Sequence, residues 1–216
     1  KPPAVSIGYF LKVKEVADTE TCRNLGIDIV RRISGGGAVY HSEDEVTYSV
    51  IVKQDDPVLP RDPIEIYKKL SNAISTVPKE LGMEARFESG HEGVCPYTVV
   101  DGRKISGNAQ ARKRGVILQH GTLLLDCDLK VMSEVLRLPR DLVDVKVTTL
   151  KRELDKKYAG KSEVVNDIDS IQILLREGFK ESLRMKLEDG SLTDFEINET
   201  QKLKAKYASR EWTYMR

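Results

Sequence analysis

The chain is organised around the stretch Arg31-Arg32-Ile33-Ser34-Gly35-Gly36-Gly37-Ala38-Val39-Tyr40-His41. The segments at 27–30 before it and 46–52 after it are rich in β-branched residues, so both are predicted strands. Three consecutive glycines between strands leave backbone N–H groups that can surround an anion, and Ser34 and one of the two arginines can assist. A plain turn is the simpler interpretation of three glycines, but the flanking arginines and serine favour a site for a phosphate-bearing ligand.

The composition is that of an ordinary folded domain: 216 residues, net charge +1, 40% hydrophobic and 32% charged. This balance excludes bulk attraction to nucleic acid or to a membrane surface, and no apolar run approaches the roughly 18 residues of a membrane helix. The three cysteines are widely spaced, which argues against disulfides and a metal site and favours a reducing, cytoplasmic setting.

Periodicity predicts an α+β or mixed α/β fold, with helices dominating beyond about residue 128. A long helix begins after Asp62, and we expect a kink or a break at Pro78 because proline removes a backbone donor. The predicted strands are 4–10, 27–30, 46–52, 85–88, 97–100, 103–112, 116–125 and a pair within 185–195, and a loop spans 89–96. The other predicted helices are 15–25, 129–136, 148–154, 168–185 and 198–208.

A second polar stretch, Arg103-Lys104-Ile105-Ser106-Gly107-Asn108-Ala109-Gln110, lies in the predicted three-stranded meander. On a regular strand Lys104, Ser106 and Asn108 point to one face, so they form a row that can line a cleft. His120 lies on the neighbouring strand. It is either a half-buried histidine with satisfied hydrogen bonds or a member of the same site.

The glycine stretch, the stretch Lys104–Gln110 and the segment His120-Gly121-Thr122-Leu123-Leu124 resemble, in this order, the three motifs of the lipoate–protein ligase A family. That family belongs to the biotin/lipoate ligase superfamily. The resemblance implies a mixed, largely antiparallel β-sheet flanked by helices, in a single catalytic domain over residues 1–216. It also implies that a first strand and helix are missing, and that the accessory domain is a separate protein, as in archaeal-type split enzymes.

The resemblance implies a ligase that uses ATP and Mg²⁺ to activate lipoate or octanoate as the acyl-AMP and then acylates a lysine of an acceptor. The implied acceptors are lipoyl domains of 2-oxoacid dehydrogenase acyltransferase subunits and the glycine-cleavage H protein. Lys104 is the implied catalytic residue, a protonated clamp on the developing phosphoryl charge. The implied binding residues are Arg32, Ser34, Gly35, Gly36, Gly37, Ala38, Val39, Tyr40, His41, Lys104, Ser106, Asn108 and His120.

Cys95 supports a second interpretation, because family members commonly carry an Asn-Asp pair where this chain has Val94-Cys95-Pro96-Tyr97. Octanoyl- and lipoyltransferases of the same superfamily use a cysteine nucleophile and no ATP, and one branch places that cysteine in the loop before the lysine strand. A thiolate near Lys104 would be activated for acyl transfer. A third interpretation is a non-catalytic module that binds an acyl-adenylate.

Overall fold

The computed structural model describes residues 2–90, 94–158 and 167–216, so residues 91–93 of the predicted loop lie outside the described residues. Its first sheet has three strands in the order β2-β1-β3, with β1 parallel to β2 and antiparallel to β3. These strands are β1 (Ala4–Ile7), β2 (Asp28–Arg31) and β3 (Val39–His41). The glycine stretch therefore connects the two outer strands. Sequence periodicity missed β3 because three residues are too short to show alternation.

The second sheet is antiparallel throughout and has five strands in the order β4-β8-β7-β6-β5. Its strands are β4 (Glu45–Lys53), β5 (Ala85–Glu88), β6 (Tyr97–Val100), β7 (Arg103–Lys113) and β8 (Val116–Leu124). Apolar side chains of this sheet, such as Ile105 and Leu123, are buried in one core with Ile74 and Phe179 from two helices. The predicted α+β class with a largely antiparallel sheet is confirmed.

Helices cover the sheets and predominate among the described residues beyond Asp128. They are α1 (Val13–Val16), α2 (Thr19–Asn24), α3 (Pro63–Glu80), α4 (Leu129–Val135), α5 (Arg140–Lys146), α6 (Leu150–Tyr158), α7 (Ile168–Leu183), α8 (Asp194–Tyr207) and α9 (Arg210–Thr213). Pattern analysis did not predict α5. None of the helices in the described ranges combines the length and the apolarity needed to cross a membrane.

Three predicted elements are wrong, each for a local reason. The predicted helix at 15–25 is two helices, because Asp18 is extended and caps α2 by accepting from the N–H groups of Glu20 and Thr21. The predicted break at Pro78 is wrong, since α3 continues to Glu80 and the proline removes a donor only near the end of the helix. Residues 185–193 form no strand pair, and a capping box at Thr193 starts α8 instead.

Candidate active site

A cleft of about 240 Å³ lies beside the glycine stretch, bounded by β3 of the first sheet and by β7 and β8 of the second. Its lining combines side chains that can carry charge with apolar ones. The former are Arg32, His41, Cys95, Lys104 and His120. The latter include Ala38, Val39, Leu124, Met132, Leu136, Leu138 and Val147. Such a lining suits a ligand with a reactive polar group and an apolar tail.

Cys95, a free thiol, lies directly against the glycine stretch. A Cβ atom at Gly36 would lie 2.9 Å from Sγ of Cys95 and 3.1 Å from a terminal nitrogen of Arg32. The φ angle of Gly36 is +87°, a backbone angle that residues with a side chain rarely adopt. The glycine therefore lets a thiol and a guanidinium group approach the same backbone atom, and Cys95 lies in the cleft as the transferase interpretation requires.

A β-bulge in β7 directs Lys104 into the cleft. Thr98 pairs with Ser106 but Val99 pairs with Lys104, so Ile105 is an extra residue on this strand. Ile105 is fully buried in the core between the second sheet and the helices. Because one extra residue reverses the alternation of side chains, Lys104 no longer shares a face with Ser106, and that prediction is wrong.

Electrostatic neighbours tune the buried ammonium group of Lys104. Burial lowers the pKa of Lys104, the adjacent Cys95 raises it, and the positive charge of Arg32 lowers it. The ammonium lies 5.6 Å from the centroid of the Tyr97 ring. A Cβ atom at Gly107 would lie 3.0 Å from this nitrogen, so the glycine leaves room for the lysine. Lys104, Arg32 and Cys95 thus form one electrostatically coupled group.

The predicted polar row on β7 does not face the cleft as a unit. Ser106 is fully buried, and its hydroxyl has no hydrogen-bond partner among the described residues. Asn108 borders the cleft, but its Nδ2 donates to Oγ of Ser71 and to the carbonyl of Pro96, at 3.2 Å each, and its Oδ1 accepts from the Tyr48 hydroxyl. Asn108 therefore connects α3 and the segment next to Cys95 to the sheet.

The two arginines at the end of β2 have different roles. Arg32 donates to the carbonyl of Ser6 at 2.9 Å and to the carbonyls of Gly35 and Gly37 at 2.8 and 2.6 Å. It fixes the shape of the glycine stretch while lining the cleft. Arg31 is buried and stabilises the fold. It donates to the backbone carbonyls of Gly8, Tyr9, Leu11, Trp212 and Thr213.

His120 connects β8 to the glycine stretch. Its Nε2 lies 2.7 Å from Oγ of Ser34, which is buried behind the cleft. Burial first, and then electrostatic interactions with Arg32 and His41, lower the pKa of His120 to about 4. The imidazole is therefore neutral at pH 7 and acts as a hydrogen-bonding support for the loop.

The structure brings most of the predicted binding residues to one cleft. Those that line it are Arg32, Gly36, Gly37, Ala38, Val39, Tyr40, His41, Lys104, Asn108 and His120. Ser34, Gly35 and Ser106 are not in its lining, although Ser34 supports it through His120.

Sequence analysis missed two groups of residues around the cleft. Glu45 is buried with its Oε1 2.6 Å from Nδ1 of His41, and only the charge at the start of a predicted strand hinted at it. The apolar lining from α4 and the segments after it, including Met132 and Leu138, was also missed. Its helical spacing predicted a buried face but not that this face borders a cavity.

Comparison with known proteins decides the family. The lipoyl protein ligase A/B catalytic domain matches residues 1–167. The chain belongs to this family. The octanoyltransferase LipM of Geobacillus kaustophilus is 35% identical over 100% of this chain and 84% of its own length. A solved lipoate-protein ligase A bound with ATP has a TM-score of 0.84 and 27% identity, covering 99% of this chain and 82% of that one. A bipartite lipoate protein ligase from Thermoplasma acidophilum has a TM-score of 0.83 and 26% identity, and the match covers 99% of this chain and 80% of that one.

The family confirms the resemblance, but the ATP-dependent ligase interpretation is wrong for this chain. The curated relatives that align with nearly all of it at 34–36% identity are octanoyltransferases, whereas the solved ligases are 26–27% identical. The predicted Mg²⁺ has no support in these comparisons, and ATP is bound by a solved ligase that is less similar to this chain than the octanoyltransferases are. A separate accessory protein stays a prediction from the resemblance.

Proposed function

We propose that this chain is an octanoyltransferase that moves an octanoyl group from a carrier-protein thioester to a lysine of a lipoyl-domain acceptor, by way of Cys95 and without ATP. The observation that carries the proposal is the position of the Cys95 thiol. It lies in the cleft against Gly36, beside the guanidinium of Arg32, and it is electrostatically coupled to the ammonium of Lys104.

The thiolate is the nucleophilic form of cysteine, and two cationic side chains, Arg32 and Lys104, neighbour Cys95. Lys104 can accept the thiol proton, because burial already lowers its pKa and a nearby thiolate stabilises the ammonium. In a low-dielectric cleft this ion pair is stronger than in water. The arrangement supports covalent catalysis by cysteine.

Transfer then takes two steps. The Cys95 thiolate attacks the carbonyl carbon of the carrier thioester, the carrier thiolate leaves with a proton from Lys104, and the octanoyl group remains on Cys95 as a thioester. The neutral amine of the acceptor lysine attacks this thioester, its extra proton passes to the now neutral Lys104, an amide forms, and Cys95 leaves as the thiolate. Both attacks place negative charge on the acyl oxygen, and a preorganised donor near it is typically worth on the order of 3 kcal/mol.

The apolar lining accounts for an acyl chain as the transferred group. Met132 and Leu136 of the α4 region and Leu124 of β8 provide a surface for the alkyl chain, while the charged groups surround the carbonyl end. The carrier protein and the acceptor domain then need only to present a thioester and a lysine at the opening. The implied acceptors are the lipoyl domains and the glycine-cleavage H protein named above.

The test is acylation of a purified lipoyl domain with octanoyl carrier protein as donor, with and without ATP, followed by mass spectrometry. We expect acylation that is independent of ATP and a thioester on Cys95 when the acceptor is omitted. Cys95→Ala should abolish both, and Cys127→Ala is the matched control because that thiol is outside the cleft lining. Octanoylation by the Cys95→Ala variant at the unsubstituted rate would refute the proposal, and binding of the donor without any transfer would indicate a non-catalytic module.

A further inference from the structure

The backbone of Lys104 is held from outside the second sheet. The N–H of Thr148 donates to the carbonyl of Lys104 at 2.9 Å, and Val147 forms an isolated parallel bridge with the same residue. A bulge locally disrupts the ladder, and here the bulge lies next to Lys104 at Ile105. The contact with residues 147–148 therefore helps to fix the backbone position of Lys104, from which its side chain extends.

Glu153 of α6 connects this contact to β7. Its carboxylate accepts from the hydroxyl of Thr148 and from the guanidinium of Arg103, with nitrogen–oxygen distances of 2.7 and 2.9 Å. Thr148 bonds the backbone of Lys104, and Arg103 precedes it in the strand. The Glu153 side chain is only 3% exposed. One buried carboxylate therefore holds both neighbours of the Lys104 backbone.

We propose that Glu153 is a positioning residue for transfer: it fixes the backbone at Lys104 so that the ammonium group stays beside Cys95. This inference rests on the proposed role of Lys104 and Cys95. Glu153 does not line the cleft, so it acts through Thr148 and Arg103 and not by touching the substrate.

The local architecture separates this role from a general one in stability. Leu150 and Leu154 of α6 are buried in the core of the second sheet, so the helix stays attached when the carboxylate is neutralised. Neutralising Glu153 weakens the connection between α6 and β7, because Arg103 loses its charged partner. A misplacement of about 1 Å far from the chemistry can cost on the order of 10²-fold in rate.

The experiment compares Glu153→Gln with the unsubstituted chain in two assays. The first is the octanoyl transfer rate, for which we expect a fall of about 10- to 100-fold in kcat with little change in KM. The second is the rate of Cys95 alkylation by iodoacetamide across a pH series, read by peptide mass spectrometry. We expect its midpoint to move to higher pH, because a displaced ammonium stabilises the thiolate less.

Controls distinguish the possible failures. Lys151, on the same helix as Glu153, forms a partly buried ion pair of 2.6 Å with Asp126, and Lys151→Gln should leave both assays unchanged. If Glu153→Gln does not fold, Arg103→Met should reproduce its effects and Arg103→Lys should retain most of the rate. Lower thermal stability with an unchanged alkylation profile would overturn the positioning role. An unchanged profile in Lys104→Met would instead refute the proposed role of Lys104 itself.

Discussion

The indole Nε1 of Trp212 donates a hydrogen bond of 2.8 Å to the backbone carbonyl of Arg31, across 181 residues of sequence. The guanidinium of Arg31 in turn donates hydrogen bonds to the backbone carbonyls of Trp212 and Thr213. The ring of Trp212 also packs near Tyr9 and Tyr207, with centroids 5.8 and 5.1 Å apart. Helix α9 is thus attached to the strand that leads into the glycine stretch, so Trp212 has a structural role.

Trp212→Phe should test this attachment. The substitution keeps an aromatic ring but removes the indole donor, which leaves the carbonyl of Arg31 without this partner. We expect a loss of about 1 kcal/mol in the free energy of unfolding, measured in urea. Tyr214→Phe is the control, because its ring contact with Arg210 does not need the hydroxyl. An equal loss in both variants would contradict the role of the indole hydrogen bond.

Gly36→Ala should impair transfer far more than folding. The added Cβ would lie 2.9 Å from Sγ of Cys95 and 3.1 Å from Arg32, at a φ of +87° that alanine disfavours. Gly37→Ala is the matched control, since a Cβ there would meet no atom within 4 Å. We expect at least about a tenfold lower transfer rate for Gly36→Ala only, because the thiol must move. Comparable rates in the two variants would show that this glycine does not position Cys95.

Lys104→Ala should lower octanoyl transfer by about 10²-fold or more, because one preorganised charged donor is worth on the order of 3 kcal/mol. The circular dichroism spectrum should stay the same, as the side chain faces the cleft and not a core. Lys113→Ala, at the exposed end of the same strand, is the control and should leave the rate unchanged. Transfer by Lys104→Ala at the unsubstituted rate would remove Lys104 from the mechanism.

Stability should fall between about pH 6.5 and pH 4 partly because of His120. Its pKa is lowered from 6.5 to about 4 in the folded chain, so the unfolded chain binds a proton first as the pH decreases. The neutral imidazole therefore favours folding above pH 6.5, and this contribution, at most about 3 kcal/mol, is lost as the pH falls toward 4.

The measurement for His120 is urea unfolding of the unsubstituted chain and of His120→Gln at pH 7.5 and at about pH 4.5. At each pH, the difference between the unfolding free energies of the two chains removes the contribution of the other titrating groups. We expect the stability advantage of the unsubstituted chain to shrink at the lower pH. A constant difference would mean that folding does not lower the pKa of His120.

Sequence patterns predicted the cleft's residues better than their arrangement. The glycine stretch, Lys104 and His120 were identified from residue type and spacing, because glycine conformation, strand alternation and charge are local properties. The assumption of a regular strand failed at Ile105, where one extra residue turned Lys104 away from Ser106. The bulge depends on pairing with β6, which single-strand periodicity cannot reveal.

The sequence by itself determined the α+β class, the family resemblance and the chemical groups available for the reaction, since each depends on short-range pattern. Only the tertiary structure decided that Cys95 lies against Gly36, that Arg31 serves α9 while Arg32 lines the cleft, and that Glu153 holds the neighbours of Lys104. The contacts of Cys95 with Gly36, of Arg31 with Thr213 and of Glu153 with Arg103 join residues that are 50 or more positions apart. Packing of two sheets and their helices sets them, and no local preference of the chain encodes such distances.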